Sequence, residues 1–238
     1  MRRLAVFLPW LLLAGCSLQQ QDVSVPALTL PAAGVARLNM NVNRGKLTIN
    51  PSSDGQIHVS LSLEPSTGFF GLVAKSASLT AAQHATVSHA LNSGSLTLGV
   101  QYPADAEVGD IAEHWTVALP LAVAVTGRMN VGELNVSGVA GGVDAGLNVG
   151  AVRLDVPGGP LKVSVNVGGI QATAHSLDYS DIALGAGVGG AGLAVEGVSA
   201  GDVHKSGAGE NLSYKLNGKN SIRLQVTTGS VKLALLTH

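Results

Sequence analysis

The sequence predicts an all-β protein. It reads as a β-solenoid, a single-stranded stack of about six short rungs with repeats of roughly 18–20 residues, behind an irregular β-rich N-terminal cap. Three observations lead there. Asn130-Val131-Gly132 recurs as Asn148-Val149-Gly150 and Asn166-Val167-Gly168, a step of 18 residues each time. Apolar residues alternate on both sides of each glycine, and the alternation slips by one across it. Val143, Ala145, Leu147 and Val149 are odd-numbered, whereas Val152, Leu154 and Val156 are even-numbered. Aromatics are only 3% of the chain against 31 glycines, so small and β-branched side chains must fill a thin core between strands. A strand points successive side chains to opposite faces, so a one-residue slip marks a bend, and glycine tolerates one. Each unit therefore reads as two short strands joined at a glycine corner. The units are linked by a second corner such as Pro157-Gly158-Gly159-Pro160.

The elements follow in order. Residues 25–112 form the cap, in which Leu38, Met40 and Val42, then Gly45, then Leu47 and Ile49 show the same slip. Gly94 with Leu96, Leu98 and Val100 repeats it. Between them, 66–92 is rich in alanine and poor in β-branched residues, which suits a short helix. Residues 113–238 hold the repeats. Their apolar columns read Val131, Val149, Val167, then Leu134, Val152, Ile170, then Val136, Leu154, Ala172. Later corners fall at Gly189, 21 residues after Gly168, and at Gly229, 40 residues after Gly189. The longer gap leaves room for one degenerate rung containing Leu212-Ser213-Tyr214-Lys215-Leu216. The last strand, near Leu233–Leu236, would be an apolar edge able to pair between copies.

The chain begins with a basic Met1-Arg2-Arg3, an apolar Leu4 to Leu13, and Leu13-Ala14-Gly15-Cys16. A basic stretch, an apolar stretch too short to span a bilayer and a small-residue cleavage site make a signal peptide over residues 1–15. A cysteine directly after Leu-Ala-Gly resembles the lipobox of bacterial lipoproteins. The resemblance implies acylation of Cys16, the single cysteine, and firm anchoring in a membrane. Residues 16–24 then carry the acylated cysteine and a polar tether. By the same resemblance, Ser17 after the cysteine favours the outer membrane, with the domain on either of its faces. Disulfides are impossible with one cysteine, so packing and backbone hydrogen bonds carry the stability. A net charge of −1, made more negative by loss of Arg2 and Arg3, gives no electrostatic case for nucleic acid.

Leu119-Pro120 leads into Val131-Gly132-Glu133-Leu134-Asn135-Val136, and the series ends with Thr228-Gly229-Ser230-Val231-Lys232-Leu233. These units resemble the bacterial "putative adhesin" solenoid family, a domain of unknown function, over roughly residues 38–235. The resemblance implies the stacked β fold. It brings no catalytic residue with it.

Candidate sites divide into structural and chemical ones. Gly132, Gly150, Gly168, Gly189 and Gly229 read as structural corners, and Asn130, Asn148 and Asn166 as a structural ladder of stacked amides. Gly185 to Gly190 matches G-x-G-x-x-G, but Leu193-Ala194-Val195 continues as a strand where a dinucleotide site needs a helix. Gly189-Gly190-Ala191-Gly192 begins like a calcium-binding β-roll, but Ala194 stands in place of the aspartate. The seven histidines show no metal spacing, so no metal and no cofactor is expected. Asp144 and Lys162, one repeat apart, are expected to form a surface ion pair, with Arg153 and Asp155 on the next strand. Phe69-Phe70 reads as cap packing over the first rung, with a partner-contact tip as the alternative. No G-x-S-x-G elbow occurs. The expectation is a non-enzymatic, membrane-anchored module, adhesin-like or structural, binding an envelope protein or glycan. The alternative is a polysaccharide lyase or esterase on a solenoid scaffold, and a third reading is a spacer in the envelope.

Overall fold

A computed structural model describes residues 22–65, 76–106, 111–197, 204–206 and 209–237. Among them the protein is all-β apart from one short helix. Its strands are β1 (Val23–Pro31), β2 (Arg37–Pro51), β3 (Gln56–Pro65), β4 (Thr86–Asn92), β5 (Ser95–Gln101), β6 (Ile111–Leu119), β7 (Ala124–Ser137), β8 (Val143–Val156), β9 (Leu161–Ala174), β10 (Tyr179–Val195), β11 (His204–Ser206), β12 (Glu210–Lys215) and β13 (Asn220–Leu235). The helix is α1 (Ser76–Gln83). It falls within the alanine-rich stretch and packs on β1 and β3, with Ala81, Ala82 and Ala85 buried nearby.

The strands form one large, mostly parallel sheet. Its order is β1-β3-β6-β2-β7-β8-β9-β13-β10-β12-β11, and β5 and β4 hang on the first half of β2. From β2 through β10, six long strands run parallel and in register, so Gly45, Gly132, Gly150, Gly168, Gly229 and Gly189 fall into one column. The chain bends there without leaving the strand. Before the column, Leu38, Val125, Val143, Leu161, Ile222 and Ile182 stack in the core, and after it so do Leu47, Leu134, Val152, Ile170 and Val231. Burying each aliphatic side chain contributes about 1.5–3 kcal/mol. Such columns offset the absence of disulfides.

Gly150 shows why the corner needs glycine. Its φ is +145°, and a Cβ there would overlap the carbonyl oxygen of Gly132 on the neighbouring strand. Gly132, Gly168, Gly229 and Gly189 each stand in the same relation to the strand before them. Only a residue without a Cβ lets adjacent backbones approach this closely while turning.

Four expectations need correction. First, β13 does not follow a degenerate rung. It inserts between β9 and β10, and the residues around Leu212 form β12, antiparallel to β10. The gap between Gly189 and Gly229 therefore holds a detour of the chain, after which the last strand returns inside the stack. Second, Leu233 and Leu235 are consequently core residues, 2% and 0% exposed, rather than a free apolar edge. Third, Gly94 is a hairpin residue. Ser93 and Gly94 both have positive φ, 48° and 79°, as a tight two-residue turn between β4 and β5 requires. Fourth, Val131, Val149 and Val167 do not continue the inward alternation. They are 42%, 41% and 49% exposed, because the slip begins one residue before the glycine and turns both the asparagine and the valine outward.

Candidate functional site

The outer face of the first strand halves carries the most regular polar surface of the described residues. Here the side chains opposite the core columns come in rows that cross the strands. The row beside the corner is Asn43, Asn130, Asn148 and Asn166. Asn166 Nδ2 donates to Asn148 Oδ1 at 3.0 Å, Asn148 Nδ2 to Asn130 Oδ1 at 3.1 Å, and Asn130 Nδ2 to Asn43 Oδ1 at 3.3 Å. Asn43, on β2, was not singled out in the sequence, because it lies 87 residues before Asn130 rather than 18. The two inner amides, Asn130 and Asn148, each spend one N–H and one lone pair on the ladder, whereas Asn166 at one end only donates and Asn43 at the other only accepts.

The next row holds Asn41, Arg128, Gly146, Ser164 and Gln225. Gly146 and Ser164 are too small to fill it, and a shallow depression of about 570 Å³ opens between Arg128, Gln225 and the asparagine row. A third row, two residues earlier on each strand, holds Asp144, Lys162 and Arg223. Asp144 does not pair with Lys162 as the repeat spacing suggested. Arg128 Nη2 reaches Asp144 Oδ1 at 2.9 Å, and Arg128 Nη1 donates to the Gly127 and Asp144 carbonyl oxygens at 3.0 Å each. The planar guanidinium presents its donors in a fixed fork that holds several acceptors at once, a geometry the point charge of an ammonium lacks. The column Arg128, Gly146, Ser164 advances by 18, so this groove was present in the repeat. Arg223 was not foreseeable, because β13 joins out of order.

A second depression of about 410 Å³ lies on the outer face of the second halves, lined by Asn135, Arg153, Asp155, Gln171 and His175, among others. His175 Nε2 sits 2.7 Å from Asp155 Oδ1, and Arg153 pairs with Glu133. One imidazole and one carboxylate can pass a proton. Ser137 Oγ, at the same depression, instead turns its single O–H to the Ile49 carbonyl oxygen at 3.2 Å or to Asn50 Oδ1 at 3.1 Å, so it is not aligned as a nucleophile toward His175.

Two further histidines also meet carboxylates, His58 with Asp54 and His114 with Glu64, both at 2.9 Å. Asp54 also accepts from the Gln56 N–H and the Ser52 hydroxyl. These bonds, led by the backbone one, hold its pKa down at about 2. Burial pushes the Glu113 carboxyl above its ordinary value, although the Trp115 indole N–H donates to it at 2.8 Å. No group of three or more metal-ligating side chains occurs among the described residues. Gly185 to Gly190 lies inside β10. Cys16 and Phe69-Phe70 fall outside the described residues, and no described helix is long and apolar enough to cross a membrane.

No protein-family model matches the chain, and no curated protein matches it significantly. Solved structures do. A "putative cell adhesion protein" from Clostridium sporogenes ATCC 15579 aligns over 90% of this chain and 100% of its own, with a TM-score of 0.55 at 16% identity. The fold is shared at that level. Two structures described as a "putative adhesin", from Bacteroides fragilis NCTC 9343 and Parabacteroides distasonis ATCC 8503, align over 91% and 92% of this chain. Their TM-scores are 0.34 and 0.31, at 11% and 9% identity.

Proposed function

We propose that this chain is a non-enzymatic, lipid-anchored β-solenoid lipoprotein whose ladder-bearing face binds a partner in the bacterial envelope, a glycan or a protein. The observation that carries the reading is the groove beside the asparagine ladder. It sets donors and acceptors at the interstrand repeat of about 4.8 Å across several strands, a surface suited to an extended, repetitive ligand. The fold likeness to a protein described as a cell adhesion protein supports the reading. The signal peptide and Cys16 supply the anchor, and Ser17 favours the outer membrane.

Two measurements test it. Protease shaving of intact and lysed cells, with a Cys16→Ala control, should show a membrane-held wild type and a released variant. If both fractionate alike, the anchor is wrong. Envelope glycan and protein arrays should retain the protein, and Asn148→Ala with Gln225→Ala should lose that retention. Retention unchanged by both substitutions would remove the groove from the reading.

A further inference from the structure

Lys162 and Arg223 stand directly opposite each other on β9 and β13, both exposed, and each lies two residues before a side chain that lines the groove, Ser164 and Gln225. Like charges placed opposite each other across a strand pair repel. Neither cation has an ion-pair partner among the described residues. The carboxylate on the other side of Lys162 is Asp144, which is committed to Arg128. Asp181, the other acid in this region, sits opposite Ser221 on β13 and Lys215 on β12 and forms no ion pair with Arg223. An in-register pair of cations thus faces solvent two residues from Ser164 and Gln225 and four from Asn166, whose hydroxyl and amides suit the hydroxyls of a sugar.

From this juxtaposition we propose that the groove takes an acidic polysaccharide. A carboxylate or phosphate on the chain bridges Lys162 and Arg223, while the ladder amides and Ser164 bind the neighbouring hydroxyls. The anion relieves the repulsion between the two cations, so binding gains from a cost already present in the free protein. Charge-assisted contacts of this kind are stronger than neutral ones, and Arg can hold a carboxylate with two bonds. The proposal rests on the reading of this face as a binding surface and names its ligand class.

The test uses the full chain in detergent, with polygalacturonate as probe, dextran of similar length as the neutral comparison and dextran sulfate as a generic polyanion. Polygalacturonate should bind above dextran and weaken as salt rises. The double variant Lys162→Gln with Arg223→Gln should weaken binding about tenfold or more while its thermal midpoint equals or exceeds that of the wild type, since the repulsion is gone. A double variant of equal charge loss elsewhere, Lys219→Gln with Lys232→Gln, should bind within about twofold of wild type. Three results overturn the proposal: polygalacturonate no better than dextran, both double variants equally weakened, or dextran sulfate bound as tightly with no dependence on Lys162 and Arg223. If a neutral glycan or an envelope protein is retained through Asn148 and Gln225 while polygalacturonate is not, the acidic ligand falls and the binding face stands.

Discussion

Replacing Gly150 with alanine should destabilise the protein by about 2–6 kcal/mol. The φ of +145° is a region that non-glycine residues occupy only under strain, costing about 1–3 kcal/mol. The new methyl also overlaps the Gly132 carbonyl oxygen, so β7 and β8 must part at the corner. Loosening two ladder hydrogen bonds there adds about 0.5–1.5 kcal/mol each. For a chain of this size, each kcal/mol moves the thermal midpoint by about 2–4 °C, so a fall of roughly 5–20 °C is expected. The control is Gly146→Ala, four residues earlier on the same strand. Its φ is not positive, and the added Cβ would stand 3.3 Å from Arg128 Cδ, a methylene of an exposed side chain that needs to give by only a few tenths of an ångström while its guanidinium stays on Asp144. That variant should lie within about 1 kcal/mol of wild type, with the reduced freedom of its unfolded chain acting in its favour. Urea and thermal melts of both proteins decide the matter. If Gly150→Ala melts with the wild type, or Gly146→Ala falls as far, the close-approach argument for the corner is wrong.

Other substitutions probe separate parts of the structure. Asn148→Ala removes two ladder bonds and Asn166→Ala one, so the first should cost about 1 kcal/mol and the second about half that in urea melts. Tyr179→Phe should be neutral or stabilising by up to about 1 kcal/mol, because the Tyr179 hydroxyl is buried without a hydrogen-bond partner among the described residues. Glu113→Gln should stabilise the protein at neutral pH. Burial raises the Glu113 pKa in the folded state, so its ionisation favours unfolding as pH rises through the ordinary carboxylate value, and the gain should vanish below that value in a pH series of melts. Asp54→Asn has the opposite sign. The depressed pKa of about 2 contributes stability above the ordinary value of 3.8 that is lost as pH falls toward 2, so the variant should differ most from wild type above pH 4 and least near pH 2.

The 18-residue step revealed the strands β7, β8 and β9, their corners and the asparagine row, because each repeat solves the same packing problem with the same residue types. It misjudged Val131, Val149 and Val167, since periodicity counts residues and cannot tell which one the corner pushes outward. It also misplaced the end of the chain. Nothing local in Asn220 to Leu235 distinguishes a strand added outside β10 from one inserted beside β9, because both positions want the same alternating Ile, Leu and Val. The groove was half legible for the same reason. Arg128, Gly146 and Ser164 recur at the repeat distance, whereas Arg223 joins them only through the inserted strand. The exchange of Lys162 for Arg128 as the partner of Asp144 depends on side-chain reach, which spacing does not encode.

The insertion of β13 has a consequence for how the protein is made. β10 is synthesised well before the strand that will lie between it and β9. Until that last segment arrives, β9 and β10 each expose an unpaired parallel edge, separated by roughly two interstrand spacings, about 10 Å. β13 is therefore a wedge, and the stack closes only once that strand has been made. A molecule that has lost its own wedge, or is still waiting for it, offers a slot shaped for the wedge of a neighbour, so strand exchange between copies is the misassembly to which this topology is most exposed.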